Sequence, residues 1–210
     1  MSRPKKNPEE RRVEFINAAR QLFFTKGYNT TSIQDILDAV GDKSCSPSVF
    51  YYYFKSKEEI YHSVMETYCD EYTELIEKSL MDNQLGTEEQ IVATIKVMTE
   101  TLLASIDKID RSNSVENRLF ALDLRERTTH KIIQIMAEAM NNTFPKKTEA
   151  YNKNISTFIA GGVGEMLNSV VFNENAQIDD INKTMIDIVN FTTDLLGVPK
   201  LLQKRILKRI

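Results

Sequence analysis

The stretch CSPSVFYYYFKSKEEI, residues 45–60, sets five consecutive aromatic residues, Phe50 to Phe54, between a proline and a lysine. An α-helix turns about 100° per residue, so five successive rings cannot all meet one core. With Phe50 at zero, Phe54 falls at about 40° and Tyr53 at about −60° on that rotation. Both phenylalanines lie on this side, which makes it the inward one. Tyr52 falls at about 200° and Ser48 at about 160°, with Tyr51 and Val49 on the flanks. The outward face therefore presents a hydroxyl, an apolar group and two phenols, where a solvated helix would carry Lys, Glu or Gln. Either it touches a partner, or the next helix covers it.

The residues before this stretch read as two more helices. Residues 9–26 carry Phe15, Ile16, Ala19, Leu22 and Phe23 on one stripe, and Gly27 ends it. In TTSIQDILDAVG, Thr31 with Gln34 fits a reciprocal cap, Ile33, Ile36, Leu37 and Val40 form a stripe, and Gly41 stops it. Such a short helix holds only by packing on neighbours. Ser46–Pro47 is a start signal for the aromatic helix, and Ser56 with Glu59 caps a long helix to about Met81. Short helices followed by a long one suit a helix-turn-helix.

Charge is divided along the chain. The formal net of −3 hides a head, residues 1–57, with 10 Lys/Arg against 6 Asp/Glu. Residues 58–199 hold 12 against 24, and the last eleven residues add 5 basic side chains and no acid. Screening over roughly 8 Å lets such a head meet phosphates despite the acidic body. DNA is the partner this face suits. A two-turn helix fits the major groove, Val49 suits a thymine methyl, and phenols reach phosphate oxygens. Lys57 opposes the macrodipole of its own helix; it either joins the free amides in holding a phosphate or is simply solvated.

FINAARQLFFTKGYNTTSIQDILDAV followed by SPSVFYYYFKSKEEIY resembles the N-terminal DNA-binding domain of TetR-family transcriptional regulators over residues 9–62. The resemblance implies that Thr31 and Ser32 touch the DNA backbone and that Pro47, Ser48 and Val49 read bases. Tyr51, Tyr52, Tyr53 and Lys57 fall at or beside its phosphate-contacting positions. Tyr53 meets both readings if its ring is half-packed and its hydroxyl emerges. One departure is the connector GDKSCSPS, with about three extra residues, Asp42 to Ser44, which leave the angle of the third helix open.

The rest reads as helical near 87–107, 114–122, 124–142, 147–173, 178–196 and 200–209, punctuated by Gly86, Pro145, Gly197 and Pro199. The resemblance implies that the body dimerises through its last two long helices and encloses a ligand. Gly161, Gly162 and Gly164 lie inside a helical pattern at a cost of about 1 kcal/mol each against alanine. They point to close contact with another helix, at the dimer interface, or to a kink beside a pocket. Met65, Tyr68, Tyr72, Met98, Leu102, Phe120, Met136 and Met140 are candidates to line an apolar pocket, each of them equally suited to ordinary core.

No segment has about 18 consecutive apolar residues, so a membrane span is not expected. The tail PKLLQKRILKRI suits an interfacial membrane helix or a terminal helix packed on the body, where its charge would offset the acidic surface; the second is expected. Cys45 and Cys69 form no ligand spacing, while Glu58–His62–Glu66 and Glu126–His130 have an i, i+4 spacing that suits metal ligands but more commonly makes local charge pairs, so no metal is expected. Neither a cofactor nor a catalytic group is expected, and the chain reads as cytoplasmic.

The fold expected is all-α: a three-helix helix-turn-helix DNA-binding domain at 1–57, helix 4 linking from about 57, then a larger helical ligand-binding and dimerisation domain at 58–210. The function expected is a homodimeric, ligand-responsive, sequence-specific regulator, most simply a repressor, on a pseudo-palindromic double-stranded DNA operator, with a small, largely apolar effector. The rival is an all-helical interaction or enzyme module whose basic head binds an acidic protein or RNA.

Overall fold

The computed structural model describes residues 7–42, 45–106 and 114–210. Among the described residues there are helices and no strands: α1 (Pro8–Lys26), α2 (Ile33–Val40), α3 (Pro47–Tyr53), α4 (Lys57–Leu80), α5 (Thr87–Ile106), α6 (Val115–Thr143), α7 (Glu149–Val171), α8 (Ile178–Leu195) and α9 (Lys200–Leu207). They form two compact units that divide within α4, between Tyr68 and Cys69. The expected domain boundary, 57/58, lies three turns earlier on the same helix.

The first unit is built on aromatic packing. Phe15 of α1 is fully buried, with the rings of Phe50, Tyr53 and Phe54 at 5.8, 5.9 and 6.2 Å. Ile36 and Leu37 of α2 and Ile60 and Val64 of α4 complete this core. Phe23, Tyr28 and Tyr61 form a second ring cluster where α1 ends, with Phe23 and Tyr28 5.5 Å apart. Gly27 and Gly41 take φ of 88° and 68°, which suits glycine and lets the chain reverse after α1 and α2.

The start of α2 differs from expectation by one residue. Ser32, not Thr31, is the N-cap: its hydroxyl accepts from the Asp35 N–H at 3.0 Å, and the Asp35 carboxylate accepts from the Ser32 N–H at 2.6 Å. Thr31 turns inward and donates to Gly27 O at 2.7 Å. These bonds, the Ser32 N–H first, then the Ser32 hydroxyl and Lys26, lower the Asp35 pKa to about 2. A depressed carboxylate stabilises the fold above its unfolded pKa of 3.8 and loses that contribution as pH falls through about 2. Asp35→Asn should therefore flatten the acid limb of a helicity-against-pH curve over that window; an unchanged limb would remove Asp35 from the acid response.

In the second unit α6 and α7 run antiparallel along their length. Phe120 meets Phe172 at 6.2 Å, Arg125 pairs with Glu165, the Ser156 hydroxyl lies 3.4 Å from Met140 Sδ, and Asn152 donates to Asn141 at 2.8 Å. Helix α6 is one helix of 29 residues where two were expected. Nothing between Leu122 and Leu124 breaks the backbone ladder, and the Arg127–Asp123 bond of 2.7 Å spans that turn. Val92 and Ile95 of α5, Ile181, Met185, Ile188 and Val189 of α8, and Ile206 of α9 form one buried cluster. The basic tail packs into it as a terminal helix, with Arg205 and Arg209 on Glu88 at 3.0 and 3.2 Å. Among the described residues no helix is long and apolar enough to cross a membrane.

Candidate nucleic-acid interface

Helix α3 is short, and two residues anchor it: Phe50 and Phe54 are both fully buried. Pro47 occupies the first helical position, while Ser46 caps through its backbone, its carbonyl accepting the Val49 and Phe50 N–H groups at 2.9 and 3.0 Å. With the phenylalanines inward, Pro47 and Ser48 are exposed, Val49 is half-buried, and Tyr51 and Tyr52 are 53% and 76% exposed. Tyr53 is half-buried, its ring on Phe15 and 4.9 Å from that of Tyr52. The outward surface is the one the helical rotation gives.

Two of the expected contact residues serve the fold. Thr31 is only 1% exposed, so its side chain is not presented at the surface; Ser32 beside it is exposed. Lys57 reaches back to the turn between α1 and α2. Its ammonium donates to Tyr28 O at 2.8 Å and Thr31 O at 3.0 Å and lies 4.2 Å from the centroid of the Tyr28 ring. Two of its three donors are thereby committed to backbone carbonyls. At the start of α4, Glu59 accepts from the Lys55 N–H at 2.6 Å, one residue before the amide expected from the capping pattern.

Other basic side chains of the head are also engaged internally. Arg12 donates to Ser63 at 3.0 Å and lies 5.1 Å from the Phe54 ring centroid; Lys26 pairs with Asp35 at 3.0 Å. Arg11 binds Asp42 at 2.7 Å and Glu14 at 3.0 Å. The Asp42 hydrogen bond is the largest cause of a raised Arg11 pKa. Sequence reading passed over Arg11, Asp42 and Arg12 because partners more than thirty positions apart leave no periodic signal. Among the described residues, the exposed phenols and Lys55 thus contribute to the outward polar surface beside the internally paired cations.

The pocket candidates fall in separate places. Met65 and Tyr68 belong to the first unit, Met65 fully buried and Tyr68 with its ring 5.0 Å from Phe24. Met98 and Leu102 pack on the α5–α8–α9 cluster. Phe120 and Met140 lie toward opposite ends of the α6–α7 pair; Tyr72 and Met136 are half-buried. A surface groove at the α4–α5 turn, lined by Glu77, Lys78, Met81, Asp82, Asn83 and Gln84, includes none of them. Gly164 makes a helix contact within the chain, a Cβ there falling 2.9 Å from Thr129 Oγ1. Gly161 and Gly162 face open space. Among the described residues no group of His, Cys, Asp and Glu could hold a metal, and His62 pairs with Glu58 at 3.8 Å.

Known proteins match this arrangement. Residues 15–64 match the model of bacterial regulatory proteins of the tetR family. The uncharacterized HTH-type transcriptional regulator YuxN of Bacillus subtilis is 29% identical over 160 residues, covering 73% of this chain and 52% of that protein. The HTH-type transcriptional repressor KstR2 of Mycolicibacterium smegmatis is 35% identical over 111 residues, covering 51% and 47%. The matched stretches thus span about half the length of these curated relatives. The fold extends further: a TetR-family regulator from Pectobacterium atrosepticum superimposes with a TM-score of 0.63 at 19% identity, over 90% of this chain and 93% of that one. The aromatic-anchored α3 lies within the stretch, residues 15–64, that matches the tetR family of bacterial regulatory proteins, and the all-helical body beyond it shares the fold of solved regulators of that family.

Proposed function

We propose that the protein is a homodimeric, ligand-responsive transcriptional regulator that binds a pseudo-palindromic operator through α3, acting as a repressor in the cytoplasm. The observation that carries this reading is the outward face of α3, with Ser48, Tyr51 and Tyr52 exposed while Phe50 and Phe54 fix the helix from beneath. Pro47, Ser48 and Val49 would meet base edges; Ser32 and the phenols of Tyr51, Tyr52 and Tyr53 would meet phosphates. Selection of bound fragments from genomic DNA tests it. The expected result is a discrete site whose half-sites lie about one turn, ~34 Å, apart or somewhat more. Weak, uniform recovery of all fragments would favour the rival module with a merely basic head.

Dimerisation is assigned to the outer surfaces of α7 and α8. Phe158 is 71% exposed one turn before Gly161 and Gly162, and Ile186 and Phe191 are exposed on α8. A ring beside two side-chain-free positions is a knob and hole for a second copy. Phe158→Glu should convert a dimer to a monomer in sedimentation equilibrium; a dimer of unchanged affinity would place the interface elsewhere. An apolar effector within the body would shift the population between dimers of different head spacing. The relative named KstR2 is a repressor, which supports the repressor reading.

A further inference from the structure

We propose that Arg11 and Asp42 form a positioning pair that sets the pitch of α3 and with it the base preference of the protein. This rests on the reading of α3 as the recognition helix, and concerns the connector that departs from the family pattern. Asp42 follows Gly41 at the exit of α2, and Cys45 stands two residues before Pro47, where α3 begins. The Cys45 N–H donates to Asp42 O at 2.7 Å, which brings together the two ends of the turn; its residues 43 and 44 lie outside the described residues. Arg11, in the first turn of α1 and 31 positions from Asp42, spans both ends of that turn. Its Nη2 donates to Asp42 Oδ2 at 2.7 Å, while Nη1 reaches Cys45 Sγ at 3.4 Å and Glu14 Oε2 at 3.0 Å. The Arg11 and Asp42 side chains are each 11% exposed.

The placement matters because α3 is held unevenly. Its buried anchors are Phe50 at its middle and Phe54 just past its C-terminal end, with none in the turn before Phe50. Ser46 makes no side-chain cap, and Pro47 and Ser48 are exposed. The end that would read bases is therefore directed by the connector before it. Arg11 ties that connector to α1, a planar guanidinium fixing direction as well as distance. A lengthened turn would otherwise let the N-terminal end of α3 swing about its aromatic anchors. Arg11 in this role spends its charge on Asp42 and Glu14 and does not contribute to phosphate neutralisation.

The test uses the full chain and the fragment it selects, with Asp42→Ala, Asp42→Asn, Arg11→Gln and the reversal Arg11→Asp with Asp42→Arg. Discrimination between the selected site and single-base variants beneath Ser48 and Val49 should fall by about tenfold in the single variants. The salt slope should stay unchanged, and the reversal should restore part of the discrimination. Hydrogen exchange should quicken across residues 46–54, with α1 and α4 still protected; that readout needs no DNA and reports on the clip even if the operator reading fails. Intact discrimination and unchanged exchange in folded Asp42→Asn would overturn the proposal. So would a salt slope reduced by about one in Arg11→Gln, which would make Arg11 a phosphate contact. Uniform binding of all sites by the wild type would defeat the recognition reading instead, and the base-preference role with it.

Discussion

Phe15→Ala should unfold the head. The side chain is fully buried, and three rings of the aromatic run surround it at 5.8 to 6.2 Å. Removing a buried phenylalanine costs about 3–5 kcal/mol, and each edge-on ring pair adds about 0.5–1.5 kcal/mol beyond its buried area. A whole domain is stable by only about 5–15 kcal/mol, so the head has little margin. Helicity should fall by an amount matching α1 to α3, hydrogen exchange across residues 8–54 should lose its protection, and binding to the selected fragment should vanish. Leu201→Ala, at an exposed position of α9, provides the control and should leave the head intact. A Phe15→Ala protein with wild-type protection in α1 would show that the ring cluster does not hold the head together.

Lys57→Met should destabilise the head by about 1–3 kcal/mol, the cost of leaving backbone acceptors without their donor. The cation–π contact with Tyr28, worth about 0.5–1 kcal/mol where exposed, is lost with it. Methionine keeps much of the alkyl stem, so the loss reports mainly on the ammonium that bridges Tyr28 O and Thr31 O. Affinity for DNA should fall because the α1–α2 turn loosens, while the slope of log affinity against log salt stays as in the wild type. A phosphate-bound lysine behaves otherwise: its removal lowers the slope by about one and leaves stability alone. Denaturant unfolding and a salt titration on the same sample separate the two roles.

These two residues mark what could be read in the sequence. The division of the aromatic run needed only the helical rotation, because Phe50 and Phe54 fall on one side and Tyr52 on the other whatever surrounds them. The cap of α2 was legible as a cap but not to the residue. Thr31 and Ser32 are both capping types and Gln34 and Asp35 both acceptors; the inward turn of Thr31 onto Gly27 O decides between them. The continuity of α6 was hidden because its apolar stripe shifts near Leu122, although no glycine or proline breaks it. Lys57 was read from its place in a helix, where a cation at an N-terminus suggests an anion. Its partners lie 26 and 29 positions away, and only the folded chain brings them together.

The pocket candidates show a different limit. Methionine and aromatic content identifies side chains that can line a cavity or fill a core, and the fold distributes these among separate packing groups. The glycines of α7 divide for the same reason. Spacing alone placed Gly161, Gly162 and Gly164 together, yet Gly164 lies against α6 while the other two look outward.

The most direct test of the account compares the affinity of the full chain for its selected genomic site with that for a scrambled duplex of identical length and composition, at about 0.15 M salt. A regulator reading bases through Ser48 and Val49 should favour its site by about a thousandfold or more. A ratio near one, whatever the absolute affinity, would mean that the outward face of α3 meets the backbone of any duplex, or some other partner, and reads no sequence.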